Sequence, residues 1–297
     1  MNVTHSGTAS GFPLRDQGVA LRLSRRRRAV SRLIEALCVL ATLAGLFLLG
    51  SILFTLVSNG IGGMNWTVFT RITAPSGDGG GLLNAIVGTV IQAGLGTLLG
   101  TPVGLLVGTY LSEYGRDSKL GEAVRFVSDI LLSAPSILIG LFVYRLMVEP
   151  AGGYSGWAGV VALAVIVVPI VVRTTEDMLR LVPISLREAA VALGAPRWKA
   201  ITQICYRAAR DGIVTGILLA IARVAGETAP LLFTSLGNLN WSLDMTQPMS
   251  SLPVTIYSYA SSPFDDWVQL AWVGALLITA GVLALNILAR VVLRKRS

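Results

Sequence analysis

Six apolar stretches, each about as long as a lipid bilayer is thick, set the first limit on what this chain can fold into. They run over residues 34–57, 83–110, 127–148, 157–172, 213–232 and 268–293, the fourth being the shortest. A hydrocarbon core of about 30 Å needs roughly 20 helical residues, and a helix satisfies every backbone polar group within itself. Of the 297 residues, 53% are hydrophobic and only 13% charged, against about 25% charged in soluble domains. The expected fold is an all-α membrane protein with six transmembrane helices.

Lys and Arg in the connecting segments mark the side that stays in the cytoplasm. They gather in the N-terminal segment (Arg15, Arg22, residues 25–28, Arg32), in one short loop (Arg116, Lys119, Arg125) and in a long loop (Arg173, Arg180, Arg187, Arg197, Lys199, Arg207, Arg210). A fourth group, Arg290, Arg294, Lys295 and Arg296, closes the chain, whereas the opposite loops hold only Arg71. Both termini are therefore expected in the cytoplasm. The organisation that follows is a basic segment 1–32, a six-helix domain 33–293 containing a cytoplasmic loop 173–211, and a tail 294–297. The net charge of +8 sits in these flanks, so no nucleic-acid partner is expected. The arginine run at 25–28 reads as a topology anchor, or alternatively as a site for anionic lipid. The first apolar run is too long for a signal-peptide core and is read as a retained span. Cys38 in a span and Cys205 in a cytoplasmic loop argue against a disulfide framework.

Within the second span, Gly96, Gly100, Gly104 and Gly108 recur every fourth residue and share one helix face. They form either a seam for a closely approaching helix or the wall of a pore-lining groove. Pro102, Pro135 and Pro169 each remove a backbone donor inside a span and predict kinks. An arginine at membrane depth costs about 2.5–3.5 kcal/mol on insertion scales, so it faces an interior or a cavity. Arg223 and Glu227 share a face of the fifth span, and Arg173, Glu176 and Asp177 cluster at the end of the fourth. Each group is either a structural ion pair or a switchable pair whose arginine helps an anion through. Arg145 is placed to snorkel at the outer end of the third span, and Asp129 near its inner start is expected to be wet.

The usual catalytic constellations are absent. His5 is the only histidine, and no phosphate loop, zinc-helix or nucleophile-elbow motif occurs. Gly94 to Gly108 lie in an apolar helix, where they cannot cradle phosphate. No metal or cofactor is expected in this chain, and nucleotide energy, if used, must enter through another subunit.

The long cytoplasmic loop is the element shaped for such a partner. Ser185 and Glu188 have capping-box spacing, Gly194 suits a left-handed helix stop, and Pro196 suits the first turn of a second short helix. Ala189, Ala190, Ala192 and Leu193 give the first helix a smooth apolar side.

Glu188-Ala189-Ala190, then Gly194, then Ile204 resembles the EAA loop of binding-protein-dependent ABC importer permeases, whose fold is a MetI-like bundle. That loop normally closes with Leu-Pro, where Tyr206-Arg207 stand here. Pro135-Ser136-Ile137, Arg173 to Glu176, Ala222 to Pro230 and Met249 to Pro253 resemble phosphate-importer permeases of the PstA type. The resemblance implies a subunit lodged in the bacterial inner membrane, with coupling helices that dock on an ATPase. It assigns coupling to Glu188, Ala189, Ala190 and Gly194, and the substrate path to Arg223, Glu227, Arg173 and Glu176. The implied partners are a homologous second permease subunit, two ATP-binding subunits and an extracytoplasmic phosphate-binding protein. Trp241, Met245 and Met249 offer a docking surface for that protein, or else pack on their own bundle. A permease for another oxyanion or small solute is the nearest alternative; an intramembrane enzyme or a scaffold without transport are the more distant ones.

Overall fold

A computed structural model describes residues 14–294, all helix and connecting turns; His5, Lys295 and Arg296 lie outside these residues. The chain divides into two compact units, residues 1–55 and 56–297. In the first, α1 (Leu14–Gly62) is already helical at Leu14, so the basic residues before the first span share one continuous helix with it. Every described side chain from 30 to 55 is exposed, Phe47 and Phe54 among them. Such a surface is stable in lipid and costly in water.

The second unit holds α2 (Thr67–Thr70), α3 (Leu83–Glu113), α4 (Lys119–Ser133) and α5 (Ser136–Val143). A π-helical stretch (Tyr144–Val148) and α6 (Glu149–Ala151) extend α5. Then come α7 (Gly156–Arg180), α8 (Ile184–Ala192), α9 (Arg197–Lys199), a second π-helical stretch (Ala200–Cys205) and α10 (Tyr206–Val224). The unit closes with α11 (Ala229–Thr234), α12 (Leu252–Ala260) and α13 (Asp265–Arg294). Starts are set by local chemistry: Ser118 accepts from the Gly121 N–H at 3.0 Å, and Ser155 from the Ala158 N–H at 3.2 Å. Asp265 and Asp266 sit at the positive pole of α13.

Among the described residues, four helices are long and apolar enough to cross a membrane, or five if one bent pair is a single span. Two of the six expected spans are thus broken. In the third, α4 and α5 meet at 103°. Pro135 has no N–H to give and pushes Ala134 into an extended conformation (ψ 137°). The expected kink is therefore a full break, whereas Pro102 and Pro169 lie inside unbroken helices. In the fifth, the helix stops at Val224 and resumes at Ala229. Gly226 weakens the turn, and Pro230, in the first turn of α11, has no donor to continue the ladder. The fourth span, by contrast, exceeds its expected 157–172 and carries its charges two turns further, to Arg180.

The glycine stripe is a packing seam. A Cβ added at Gly96, Gly100, Gly104 or Gly108 would lie 2.6–2.9 Å from the Cβ of Leu163, Val167, Val171 or Thr175. Both rows advance by four residues, so α3 and α7 pack ridge against bare groove. A second core joins α12 to α13, where Tyr259 and Trp267 stack with centroids 4.6 Å apart.

Candidate functional site

Two constellations carry chemistry: the loop around α8, and the charged residues at the breaks and ends of the membrane helices. Pro183 caps α8, and no side chain contributes a capping bond. The Ser185–Glu188 capping box is therefore not formed. The helix begins two residues earlier than that box requires, at Ile184, so Ser185 already lies inside it and Glu188 projects outward. The C-terminal stop is as expected. Gly194 takes φ +79°, its N–H donates to Val191 O at 2.9 Å, and the Ala195 N–H donates to Ala190 O at 3.1 Å. Those two bonds make a Schellman turn, which needs a left-handed residue at this position.

Of the EAA residues, Glu188 and Ala189 are exposed and Ala190 is turned inward. Leu186, Val191, Leu193 and Trp198 are exposed around them, Leu193 at 88%. The expected second short helix is not a separate element. Arg197–Lys199 winds through the π-helical stretch into α10 without a stop. Tyr206-Arg207 supply backbone donors where a proline would end the helix, and the Tyr206 hydroxyl lies 2.5 Å from Thr109 Oγ1 on α3.

Arg187, one residue before Glu188, was not singled out by its motif position. Its guanidinium donates to Glu113 Oε1 at 2.8 Å, Leu179 O at 2.6 Å and Val182 O at 2.8 Å. Beside it, a cleft of about 470 Å³ is lined by Glu113, Tyr114, Arg187, Glu188, Arg197 and Cys205 among others. Burial pushes the Cys205 thiol up from its ordinary value, against the pull of Arg187.

The charged groups are arranged differently from their order in the sequence. Arg223, in the last turn of α10, does pair with Glu227 within the helix break, Nε to Oε1 at 3.5 Å, with the arginine 46% exposed and the carboxylate 15%. Arg173 and Glu176 do not pair. Arg173 faces outward to Asp129 (3.6 Å) and Asp177 (3.4 Å), so Asp129 is exposed but has a partner. Glu176 points into the bundle, 3% exposed, and accepts from Arg125 at 2.7 Å and Arg180 at 2.6 Å. Arg180 was detectable as the residue four after Glu176; Arg125 belongs to another helix, and no local spacing reveals it. Arg125 also donates to the carbonyls of Leu111, Gly115 and Arg116, tying α4 beneath α3. Arg145 lies exposed and pairs with Glu149.

Removing one partner of a buried ion pair leaves an unpaired charge and costs about 3–5 kcal/mol. Glu176→Ala is therefore expected to lower the thermal unfolding midpoint of the solubilised protein markedly. An exposed change such as Asp177→Ala should leave it almost unmoved.

Opposite the α8 end, Met249 is buried, and Met245 packs over Gly156 while its carbonyl accepts from the Trp157 N–H at 3.0 Å. The two methionines thus pack on their own bundle, and Trp241 alone of the three is exposed. The segment is pinned further by Gln92 Nε2 to Ser250 O (3.2 Å) and by the Leu252 N–H to Thr89 Oγ1 (2.7 Å).

Residues 100–297 match the family model of the binding-protein-dependent transport system inner membrane component. The chain is 55% identical to the phosphate transport system permease protein PstA of Pasteurella multocida, over 91% of this chain and 97% of that one. It is 57% identical to PstA of Yersinia pestis, over 91% and 92%. A more distant relative, PstA 1 of Mycobacterium tuberculosis, shares 38% over 76% of this chain and 75% of its own. Among solved structures, a chain of the inward-facing MetNI methionine ABC transporter superposes with a TM-score of 0.58, at 18% identity over 78% of this chain and 97% of that one; this likeness concerns the fold alone. With more than half its length matched by the family model and close relatives aligned almost end to end, the chain belongs to the binding-protein-dependent transport system inner membrane components, in their PstA-type branch.

Proposed function

We propose that this chain is the membrane-spanning permease subunit of an ATP-driven importer of inorganic phosphate, forming half of the translocation path. The observation that carries the reading is the 55% identity spanning 97% of a relative named as a phosphate transport system permease. The working complex pairs the chain with a homologous permease subunit, two ATP-binding subunits and an extracytoplasmic phosphate-binding protein. The chain lies in the bacterial inner membrane with both termini cytoplasmic, as its basic loops favour. Its organisation is a basic segment 1–32, a permease domain 33–293 and a tail 294–297.

In this reading α8 is the docking element for the ATPase. Glu188 and Ala189 are presented outward, Ala190 seats the helix on its own chain, and Gly194 ends it so that the apolar ring around Leu193 is left free. Closure of the ATPases displaces α8 and rocks the spans between inward- and outward-open states. The substrate path runs past the broken helices. There Arg223, held loosely by Glu227, exchanges a carboxylate for a phosphate oxygen, the planar guanidinium matching either partner. Arg173 is a second step of the same kind, and Glu176 braces the helix that carries it.

Uptake of labelled phosphate by cells that lack their own phosphate permease, expressing this chain with its partner subunits, tests the reading. Phosphate accumulation that survives excess sulfate is the expected result. Preferential accumulation of another oxyanion would move the chain to the alternative substrate class.

A further inference from the structure

We infer that Arg187 and Glu113 form the link through which movement of α8 reaches the membrane-spanning helices. The inference rests on the reading of α8 as the ATPase-docking element. Covalently, α8 is joined to α7 by residues 181–183 and to α9 by the Gly194 turn. Two such connections hold a helix in place but let it pivot. The Arg187 guanidinium removes that freedom by gripping two other helices at once.

On one side it donates to Leu179 O in the last turn of α7, where a helix presents its negative pole, and to Val182 O in the connector just beyond it. On the other it meets the carboxylate of Glu113, the last residue of α3. A carboxylate at a helix C-terminus is unfavourable in itself, so Glu113 needs a cation there, and Ser112 Oγ supports it from 3.3 Å. Both side chains are largely buried, Arg187 23% and Glu113 10% exposed. Screening by salt is therefore weak.

The two helices gripped are the two that the glycine seam packs in closest contact. A push on α8 is thus delivered to α3 and α7 as one body, while α10 follows through the unbroken helix from Arg197. Arg187 is a positioning residue in this scheme and touches no substrate. A lysine in its place would keep a point charge for Glu113 but could not reproduce the fork that reaches three acceptors.

The test uses the whole reconstituted complex with its phosphate-loaded binding protein, measuring phosphate taken up and ATP hydrolysed in the same vesicles. For Arg187→Lys and Glu113→Gln, uptake per ATP is expected to fall roughly tenfold, within the usual range of coupling free energies. Hydrolysis without binding protein should stay near wild type, a split that a merely structural pair would not produce. An unchanged ratio in both variants would overturn the assignment. So would failure of both variants to assemble, since the pair would then serve folding. The wild-type complex separates this result from the function itself: if it takes up phosphate while the variants remain fully coupled, only the link is wrong.

Discussion

Gly104→Leu should abolish recovery of the folded permease. An added Cβ at this position falls 2.6 Å from Val171 Cβ, 2.8 Å from its Cγ1 and 3.1 Å from Val168 O. Val171 Cβ and Val168 O are fixed by the backbone, so the strain cannot be relieved by a rotamer change. Overpacking by a few methylenes costs about 1–3 kcal/mol in soluble cores. Here the penalty multiplies, because α3 and α7 can separate at Gly104 only by losing contact at Gly96, Gly100 and Gly108 as well. The measurement is the amount of monodisperse protein extracted from membranes, expected to be at or near zero. Gly94→Ala on the same helix is the control: a Cβ there meets nothing within 4 Å, and alanine favours helix by about 1 kcal/mol. Equal recovery of Gly104→Leu and wild type would show that the seam is not what holds the pair together.

Arg223→Gln is the second large effect, and it falls on transport instead of folding. Arg223 is nearly half exposed, and its partner Glu227 stands 3.5 Å away, within the helix break. The pair is therefore too loose to be a strong brace. A phosphate charge about 4 Å from a guanidinium gains roughly 4 kcal/mol at an effective dielectric of about 20. Losing that attraction along the path should reduce uptake per assembled complex by roughly ten- to a hundredfold, the upper bound being about a thousandfold. Complex yield should hardly change. The opposite pattern, normal uptake per complex with poor assembly, would make Arg223–Glu227 a structural pair.

How far the sequence reveals these elements depends on whether their cause is local. The spans follow from hydrophobic run length, and the glycine seam from a four-residue repeat that admits a close neighbour. The stop at Gly194 follows from the need for a left-handed residue. The breaks at Pro135 and at 225–228 were visible as prolines and a glycine, but whether such residues kink a helix or split it depends on neighbours that cover the freed groups. Pro102 and Pro169 stand in intact helices in the same chain. The Ser185–Glu188 pair had capping spacing and does not cap, because the helix is capped two residues sooner, at Pro183.

Ion pairing was the least legible feature. Arg173 and Glu176 are three residues apart, yet one faces out to Asp129 and the other inward to Arg125. Their partners lie on α4, some fifty residues away in sequence. The importance of Arg187 and Glu113 escaped for the same reason: 74 residues separate them, and only the fold brings the end of α3 beside α8.

The central claim is that ATP hydrolysed on a separate subunit drives phosphate through this chain. It is tested most directly in vesicles containing the permease pair and the ATPase subunits, supplied with the phosphate-binding protein on one side and ATP on the other. The account predicts phosphate accumulation that requires both ATP and the binding protein. Hydrolysis that proceeds with no phosphate crossing, or accumulation of a different anion in its place, would contradict it.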